Sequence, residues 1–128
     1  MKRSLHLNPD NKPATWEQIR DIRDAHELSP VTTSYGTFDA DEKAEYRLTQ
    51  AIDTFGSLPT LQNGKLGWKL ADNTIVQLSH SELVNAYQQI KTNRAIRAAV
   101  LHAKAEQFRV ADPAPTPAQL KQLDFWLT

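Results

Sequence analysis

Apolar residues recur at helical spacing in two early segments of the chain. Thr15 and Gln18 match a capping box, in which each side chain satisfies a backbone amide of the first turn, and they predict a helix over 16–27. A second stripe repeats every three or four residues and predicts a helix from about 40 to 55. The stripe members are Ala44, Leu48, Ala51, Ile52 and Phe55.

The longest predicted helix covers residues 80–109. Ser79 and Glu82 repeat the capping-box pattern at its start, and no breaker follows until Asp112–Pro113. At 1.5 Å per residue it would extend about 43 Å. Its apolar face shifts along its length, which predicts that the second half packs on something other than the first half's domain, or that the helix bends near Thr92–Asn93. The first stripe contains Leu83, Tyr87 and Ile90, and the second contains Ile96, Val100, Leu101, Ala103 and Phe108.

Two segments have the composition and alternation of strands. Residues 31–38 are rich in β-branched and aromatic side chains, and they predict a strand or a short hairpin broken near Gly36. Residues 66–78 alternate apolar and polar on either side of Asp72–Asn73, which predicts a β-hairpin. The expected fold is therefore α+β, with a small antiparallel sheet packed on helices.

The expected organisation has four parts. Residues 1–14 are polar and predict an irregular N-terminal arm, and residues 15–110 suit a single α+β domain. Three prolines within residues 111–117 predict a stiff linker. Residues 118–128 carry apolar side chains on one side and predict a short C-terminal docking segment.

Charge and cysteine usage narrow the function classes. The chain has 128 residues with 15 Lys and Arg against 15 Asp and Glu, and this balance disfavours a nucleic-acid or membrane-surface role. No cysteine is present, which excludes disulfides, thiolate metal sites and cysteine nucleophiles. No apolar run approaches the roughly 20 residues of a membrane span. The N-terminus lacks the apolar core of a signal peptide, so we expect synthesis in the cytoplasm.

Four carboxylates lie close together at residues 39–45. A calcium loop needs further oxygen ligands at alternate positions and a central glycine, but Lys43 occupies the next alternate position. A helix start explains the cluster more simply, with Asp39 as the cap, Glu42 completing the capping box and Asp41 in the first turn. We interpret the cluster as a helix start and expect no metal ligand and no catalytic residue here.

Histidines and glycines give no further site. The four histidines are spread along the chain, and no pair has the i, i+4 spacing of a helical metal site. The chain has four glycines and no glycine-rich phosphate loop. We therefore expect no cofactor and no enzymatic activity. The histidines are His6, His26, His80 and His102.

The distal part of the long helix is basic. Three interpretations stay open: a solvated face, contact with the acidic helix near residues 39–53 in the same or a neighbouring subunit, and nucleic-acid binding. The third lacks the interleaved aromatic residues of a single-strand platform. The basic residues are Lys91, Arg94, Arg97, Lys104 and Arg109.

The C-terminal aromatic residues allow two interpretations. They either fold back into the core of their own domain or anchor the chain to a partner, because aromatic side chains dominate interface energetics. We predict partner contacts for the C-terminal segment and for the second face of the long helix. The predicted contact residues are Ile96, Val100, Phe108, Leu123, Phe125, Trp126 and Leu127.

Residues 15–110 resemble a known family. The run YGTFDAD, and the hairpin Trp68–Leu78 with its DNT turn extended into LSHSEL, are similar to the domain-of-unknown-function family 4376 of bacteriophage tail and tail-fibre-associated proteins. The resemblance implies a non-catalytic structural protein of the virion tail, baseplate or tail fibre, which contacts other tail or fibre proteins or copies of itself. An assembly chaperone absent from the virion, and a small nucleic-acid-binding or regulatory protein, are the alternatives.

Overall fold

The computed structural model describes residues 9–59 and 62–128, and over these residues the fold is α+β as predicted. It contains five α-helices and two separate two-stranded antiparallel sheets. Short 3-10 turns lie at Pro9–Asn11 and Phe55–Ser57. Most of the predicted N-terminal arm, residues 1–8, lies outside the described residues. In chain order the elements are α1 (Trp16–Glu27), β1 (Val31–Thr33), β2 (Gly36–Phe38), α2 (Glu42–Asp53), β3 (Leu66–Lys69), β4 (Ile75–Leu78), α3 (His80–Val110), α4 (Pro117–Leu120) and α5 (Leu123–Leu127).

The chain forms two compact units. The central unit is Leu28–Ala95, and the terminal unit combines the described residues 9–27 with Ile96–Thr128. Helix α3 contributes residues to both units. The division differs from the single domain predicted over 15–110, because the N-terminal helix and the C-terminal segment belong to one unit.

The central unit contains both sheets. Val31 lies opposite Phe38 in the β1–β2 pair, so residues 31–38 form their own hairpin rather than one sheet with residues 66–78. The predicted hairpin of β3 and β4 is confirmed. Asn73 takes a left-handed φ of 71° in its turn, a conformation that asparagine tolerates. The Asp72 carboxylate accepts from the Thr74 backbone amide and hydroxyl, and these bonds hold the pKa of Asp72 below its ordinary value.

Helices α2 and α3 cover this unit's core. The buried apolar side chains come from both hairpins, from α2 and from the first half of α3. They are Val31, Phe38, Ala40, Leu48, Ala51, Phe55, Leu66, Leu78, Leu83, Ala86 and Ile90. Leu48, Leu83 and Ile90 belong to the apolar stripes of the sequence, and their burial explains why periodicity predicted α2 and α3.

The terminal unit has a core of its own. Helix α1, the second half of α3, α4 and α5 contribute to it, and the Ala14 amide donates to the Pro115 carbonyl across 2.8 Å. Thr116 and Gln119 form a capping box at the start of α4. The buried members are Ala14, Ile19, Leu101, Ala105, Leu120 and Trp126.

The shift of the apolar face along α3 corresponds to these two cores. Leu83 and Ile90 are buried in the central unit, whereas Leu101 is buried in the terminal unit. The helix starts as predicted, because Glu82 accepts from the Ser79 amide and the Ser79 hydroxyl accepts from the Glu82 amide. Among the described helices, none combines the length and the apolar character that crossing a membrane requires.

Candidate partner-contact surfaces

The C-terminal segment packs within the terminal unit of its own chain. Trp126 is 0% exposed, and its indole N–H donates to the Leu120 carbonyl across 2.7 Å. The same carbonyl lies 2.7 Å from the Nε2 atom of His26. A carbonyl only accepts, so Nε2 of His26 carries the hydrogen. The segment thus folds back onto its own chain, and Trp126 is a core residue of the terminal unit.

Aromatic rings surround this tryptophan. Phe108 packs edge-on against Trp126 with ring centroids 5.0 Å apart, and it stacks on Phe125 at 5.3 Å. The His26 ring meets Trp126 edge-on at 5.8 Å. Such pairs add to the free energy of burial beyond the area they cover.

The predicted contact residues fall into two groups. The structure brings Phe108, Leu123 and Phe125 together around buried Trp126, and these three are half-buried. The remaining residues lie outside this cluster: Ile96 is 59% exposed, Leu127 is 47% exposed and Val100 is half-buried.

Val110 is an exposed apolar residue that the sequence analysis did not select. It is 79% exposed at the last position of α3. It lies 14 residues after Ile96, which is close to four helical turns, so the two side chains lie on nearly the same side of the helix.

The carboxylates at residues 39–45 start a helix, as predicted, but the capping residue is a different one. The Asp41 carboxylate accepts from the Ala44 amide across 2.8 Å and is the N-cap of α2. The assignments of the cap to Asp39 and of Asp41 to the first turn were wrong, because Asp41 is itself the N-cap and α2 begins only at Glu42. Among the described residues, no group of three or more histidine and carboxylate side chains is arranged to hold a metal ion.

Glu45 of α2 meets the basic helix within the central unit. It forms an ion pair with Arg94, and the Tyr87 hydroxyl lies 3.5 Å from its carboxylate. Burial of the phenol, together with the negative charge of Glu45, raises the pKa of Tyr87. Of the three interpretations of the basic stretch, contact with the acidic helix therefore holds for Arg94, within one chain.

The other basic residues of α3 also contact their own chain. Their partners are aromatic rings, backbone carbonyls and one glutamate, so the basic stretch does not present five bare cations. Lys91 lies over Tyr87 at 4.7 Å, Arg97 donates to the Glu27 carbonyl at 3.1 Å, Lys104 donates to the Thr128 carbonyl at 2.8 Å, and Arg109 lies over Trp16 at 4.8 Å and beside Glu106.

The remaining histidines make structural contacts. The Nε2 atom of His80 lies 3.2 Å from the Ile52 carbonyl, and its ring packs edge-on against Phe55. His102 pairs with Glu27. His6 lies outside the described residues.

An open groove in the central unit was not predicted from the sequence. It has a volume of about 480 Å³ and lies between the edge of β3, the start of α2 and the end of β2. Its lining includes Arg47 and Lys69, whose charged side chains form no hydrogen bond or ion pair with any described residue. No local signal marks this groove, because it depends on which strand edge the fold leaves unpaired. The lining is completed by Phe38, Asp39, Ala44, Leu48, Gly67, Trp68, Leu70 and Asn73.

Comparisons with known proteins identify the family. A search of curated proteins and a search of solved structures each found no significant match. The model of the family described as domain of unknown function (DUF4376) matches residues 10–118, which is most of the chain. This span includes α1, both hairpins and all of α3, and it ends within α4. The chain therefore belongs to the DUF4376 family.

Proposed function

We propose that this protein is a non-catalytic component of a bacteriophage tail, baseplate or tail fibre that acts through contacts with other proteins. The observation that carries the proposal is the family membership over residues 10–118, taken with the resemblance of its motifs to phage tail-associated proteins. The partners are other tail or fibre proteins, or further copies of this chain, and the protein acts in the virion after synthesis in the host cytoplasm.

Exposed apolar side chains of the terminal unit support a contact role. Ile96, Val110 and Leu127 are well exposed and lie outside the set of residues that form this unit's core. Single exposed apolar residues are ordinary on protein surfaces, so the support comes from the helical spacing of Ile96 and Val110 on one helix. We assign the contact to Ile96, Val100, Val110 and Leu127, and we propose that buried Trp126 holds the C-terminal segment in place.

Repeated copies would strengthen such a surface. A tail is built from rings and fibres of identical subunits, and linked binding events raise the effective concentration of each further contact. A small apolar contact then suffices for stable incorporation.

The test is mass spectrometry of purified particles from a phage that encodes the chain. We expect its peptides in the particles at a fixed copy number. An Ile96→Asp variant should be incorporated about tenfold less well, because a loss of 1.4 kcal/mol in contact free energy lowers an equilibrium tenfold. Tyr46→Asp is the matched control, since Tyr46 is similarly exposed but lies on α2 in the central unit.

Two results would count against the proposal. Tailed, infectious particles formed without the chain would remove any structural or assembly role. If the chain is absent from particles but tails fail to form in its absence, the assembly-chaperone alternative replaces the virion role.

A further inference from the structure

The outer edge of β3 presents unpaired backbone groups to the groove. The Leu70 amide donates to the Thr74 carbonyl across 2.8 Å, so Leu70 faces β4. Backbone groups of neighbouring residues in an antiparallel strand point to opposite sides, so those of Gly67 and Lys69 point away from β4. The sheet has only two strands, and neither residue has a hydrogen-bond partner on this outer side among the described residues.

A hydrogen bond next to this edge joins the β3–β4 turn to β2. The Ala71 amide, in the turn that follows β3, donates to the Thr37 carbonyl of β2 across 2.9 Å. The groove is lined by β3, by the end of β2 and by the start of α2. It therefore runs along the extended backbone of β3, beside the turn that bonds to β2.

The side chains around this edge favour an acidic occupant. Arg47 from α2 and Lys69 from β3 line the groove without a carboxylate partner, whereas Asp39 is the one carboxylate in the described lining. Trp68 and Leu70 add half-buried apolar surface. A volume of about 480 Å³ lies within the range of about 300–1,000 Å³ that is usual for ligand sites.

We propose that this groove binds an acidic peptide segment of a partner protein in extended conformation, which adds as a third strand to the outer edge of β3. The backbone groups of Gly67 and Lys69 supply the main-chain hydrogen bonds, and Arg47 and Lys69 select carboxylate side chains. The site belongs to the central unit, whereas the contact residues of the proposed function belong to the terminal unit, and the proposal does not depend on that function.

Charge argues against a second copy of this chain as the occupant. Pairing two β3 edges would bring Lys69 of each copy close to Lys69 of the other, and like charges on adjacent strands are destabilising. An acidic segment meets no such repulsion. The occupant is therefore a strand of opposite charge from another protein.

The experiment uses the full chain, labelled with ¹⁵N, and defined peptides as probes. The first probe is the acetylated and amidated pentapeptide Val-Asp-Val-Asp-Val, and the second has lysine in place of aspartate. We expect the acidic peptide to shift the amide signals of Gly67 and Lys69 and to slow their hydrogen exchange about tenfold, since these amides gain an acceptor. The lysine peptide should leave both amides unchanged.

Variants and modified peptides separate strand addition from simple charge attraction. Arg47→Glu and Lys69→Glu should each weaken binding about tenfold, whereas Lys43→Glu should not, because Lys43 lies on the same helix as Arg47 but does not line the groove. Alternate amides of the acidic peptide can be N-methylated in two ways, at the odd or at the even positions. Only one of these two sets of amides faces the β3 edge, so one methylated peptide should lose binding and the other should keep it.

Several results would overturn the proposal. The first is no change at Gly67 and Lys69 with acidic peptide at about 5 mM, where a Kd of 1 mM would already be visible. Equal binding of both N-methylated patterns, or of the lysine peptide, would exclude strand addition selected by charge. Inorganic phosphate reproducing every shift would reduce the groove to an anion site. Protection of the two amides in concentrated protein without peptide would make a second copy the occupant.

Discussion

Trp126 anchors the C-terminal segment through its apolar area and its indole hydrogen bond. Its side chain is fully buried, and its N–H has the Leu120 carbonyl as partner. We expect Trp126→Ala to lower the free energy of unfolding by about 3–5 kcal/mol, because the change removes a large buried ring and leaves a cavity. Denaturant unfolding followed by circular dichroism measures this loss.

Leu127→Ala is the matched control for this change. Leu127 is the next residue in the same helix but is 47% exposed, so its truncation should alter the free energy of unfolding by only about 0.5 kcal/mol. Equal effects of the two substitutions would show that the segment is not packed in solution as it is in the structure.

Glu82 makes the start of α3 sensitive to pH. Hydrogen bonds from Ser79, chiefly from its backbone amide, hold the pKa of Glu82 below its ordinary value of 4.5. A depressed folded-state pKa gives a stabilisation that is complete above the unfolded-state pKa and is lost as the pH falls through the folded-state pKa. The stabilising contribution of Glu82 should therefore decline below about pH 4.5.

Thermal unfolding between about pH 3 and pH 6 tests this dependence. In Glu82→Gln the amide oxygen still accepts from Ser79 but does not titrate, so the variant should lose less stability than the wild type as the pH falls. Asp72→Asn removes the other carboxylate with a lowered pKa and is a useful comparison. A Glu82→Gln profile parallel to the wild type would contradict the assignment.

At the scale of single elements, the N-cap of α2 distinguishes two neighbouring carboxylates. Asp41 accepts from the Ala44 amide, whereas Asp39 lies two residues earlier and makes no such bond. We expect Asp41→Ala to lower the free energy of unfolding by about 1 kcal/mol through loss of the cap. Asp39→Ala should change it by less than about 0.5 kcal/mol, and urea unfolding of both variants makes the comparison. A larger loss for Asp39→Ala than for Asp41→Ala would show that Asp39 is the N-cap.

Local signals predicted most elements because their causes lie within a few residues. The capping boxes at Thr15 and Ser79 both formed, and the Asp72–Asn73 turn closed the predicted hairpin. The position of the α2 cap was missed by two residues because several carboxylates there suit the same task. Sequence periodicity identifies an apolar face but not the surface that it packs on.

The candidate contacts were harder to predict because they depend on pairing between distant residues. Trp126 packs beside His26, a hundred residues earlier in the chain, and nothing in the spacing of either segment indicates this contact. The groove beside β3 likewise depends on tertiary pairing, because β2 pairs with β1 and its backbone bond toward the second hairpin is made to Ala71, in the turn after β3. Both features follow from tertiary structure rather than from local pattern.

At the scale of the whole molecule, each of the two cores stabilises its own unit. Leu83 and Leu101 are both 0% exposed and both lie on α3, but the first is buried in the central core and the second in the terminal core. Each Leu→Ala change should lower local stability by about 2–5 kcal/mol through lost contacts and a residual cavity. The two substitutions are therefore a matched pair that differs in the core affected.

Hydrogen exchange followed by mass spectrometry resolves where each loss occurs. We expect Leu101→Ala to speed exchange most in residues 9–27 and 96–128, and Leu83→Ala to speed it most in residues 28–95, because opening events follow cooperative packing units. Helix α3 runs through both units, so its central turns should respond to either change. Uniform acceleration across the chain in both variants would show a single cooperative core, and the stabilities of the two units would then have to be treated as one.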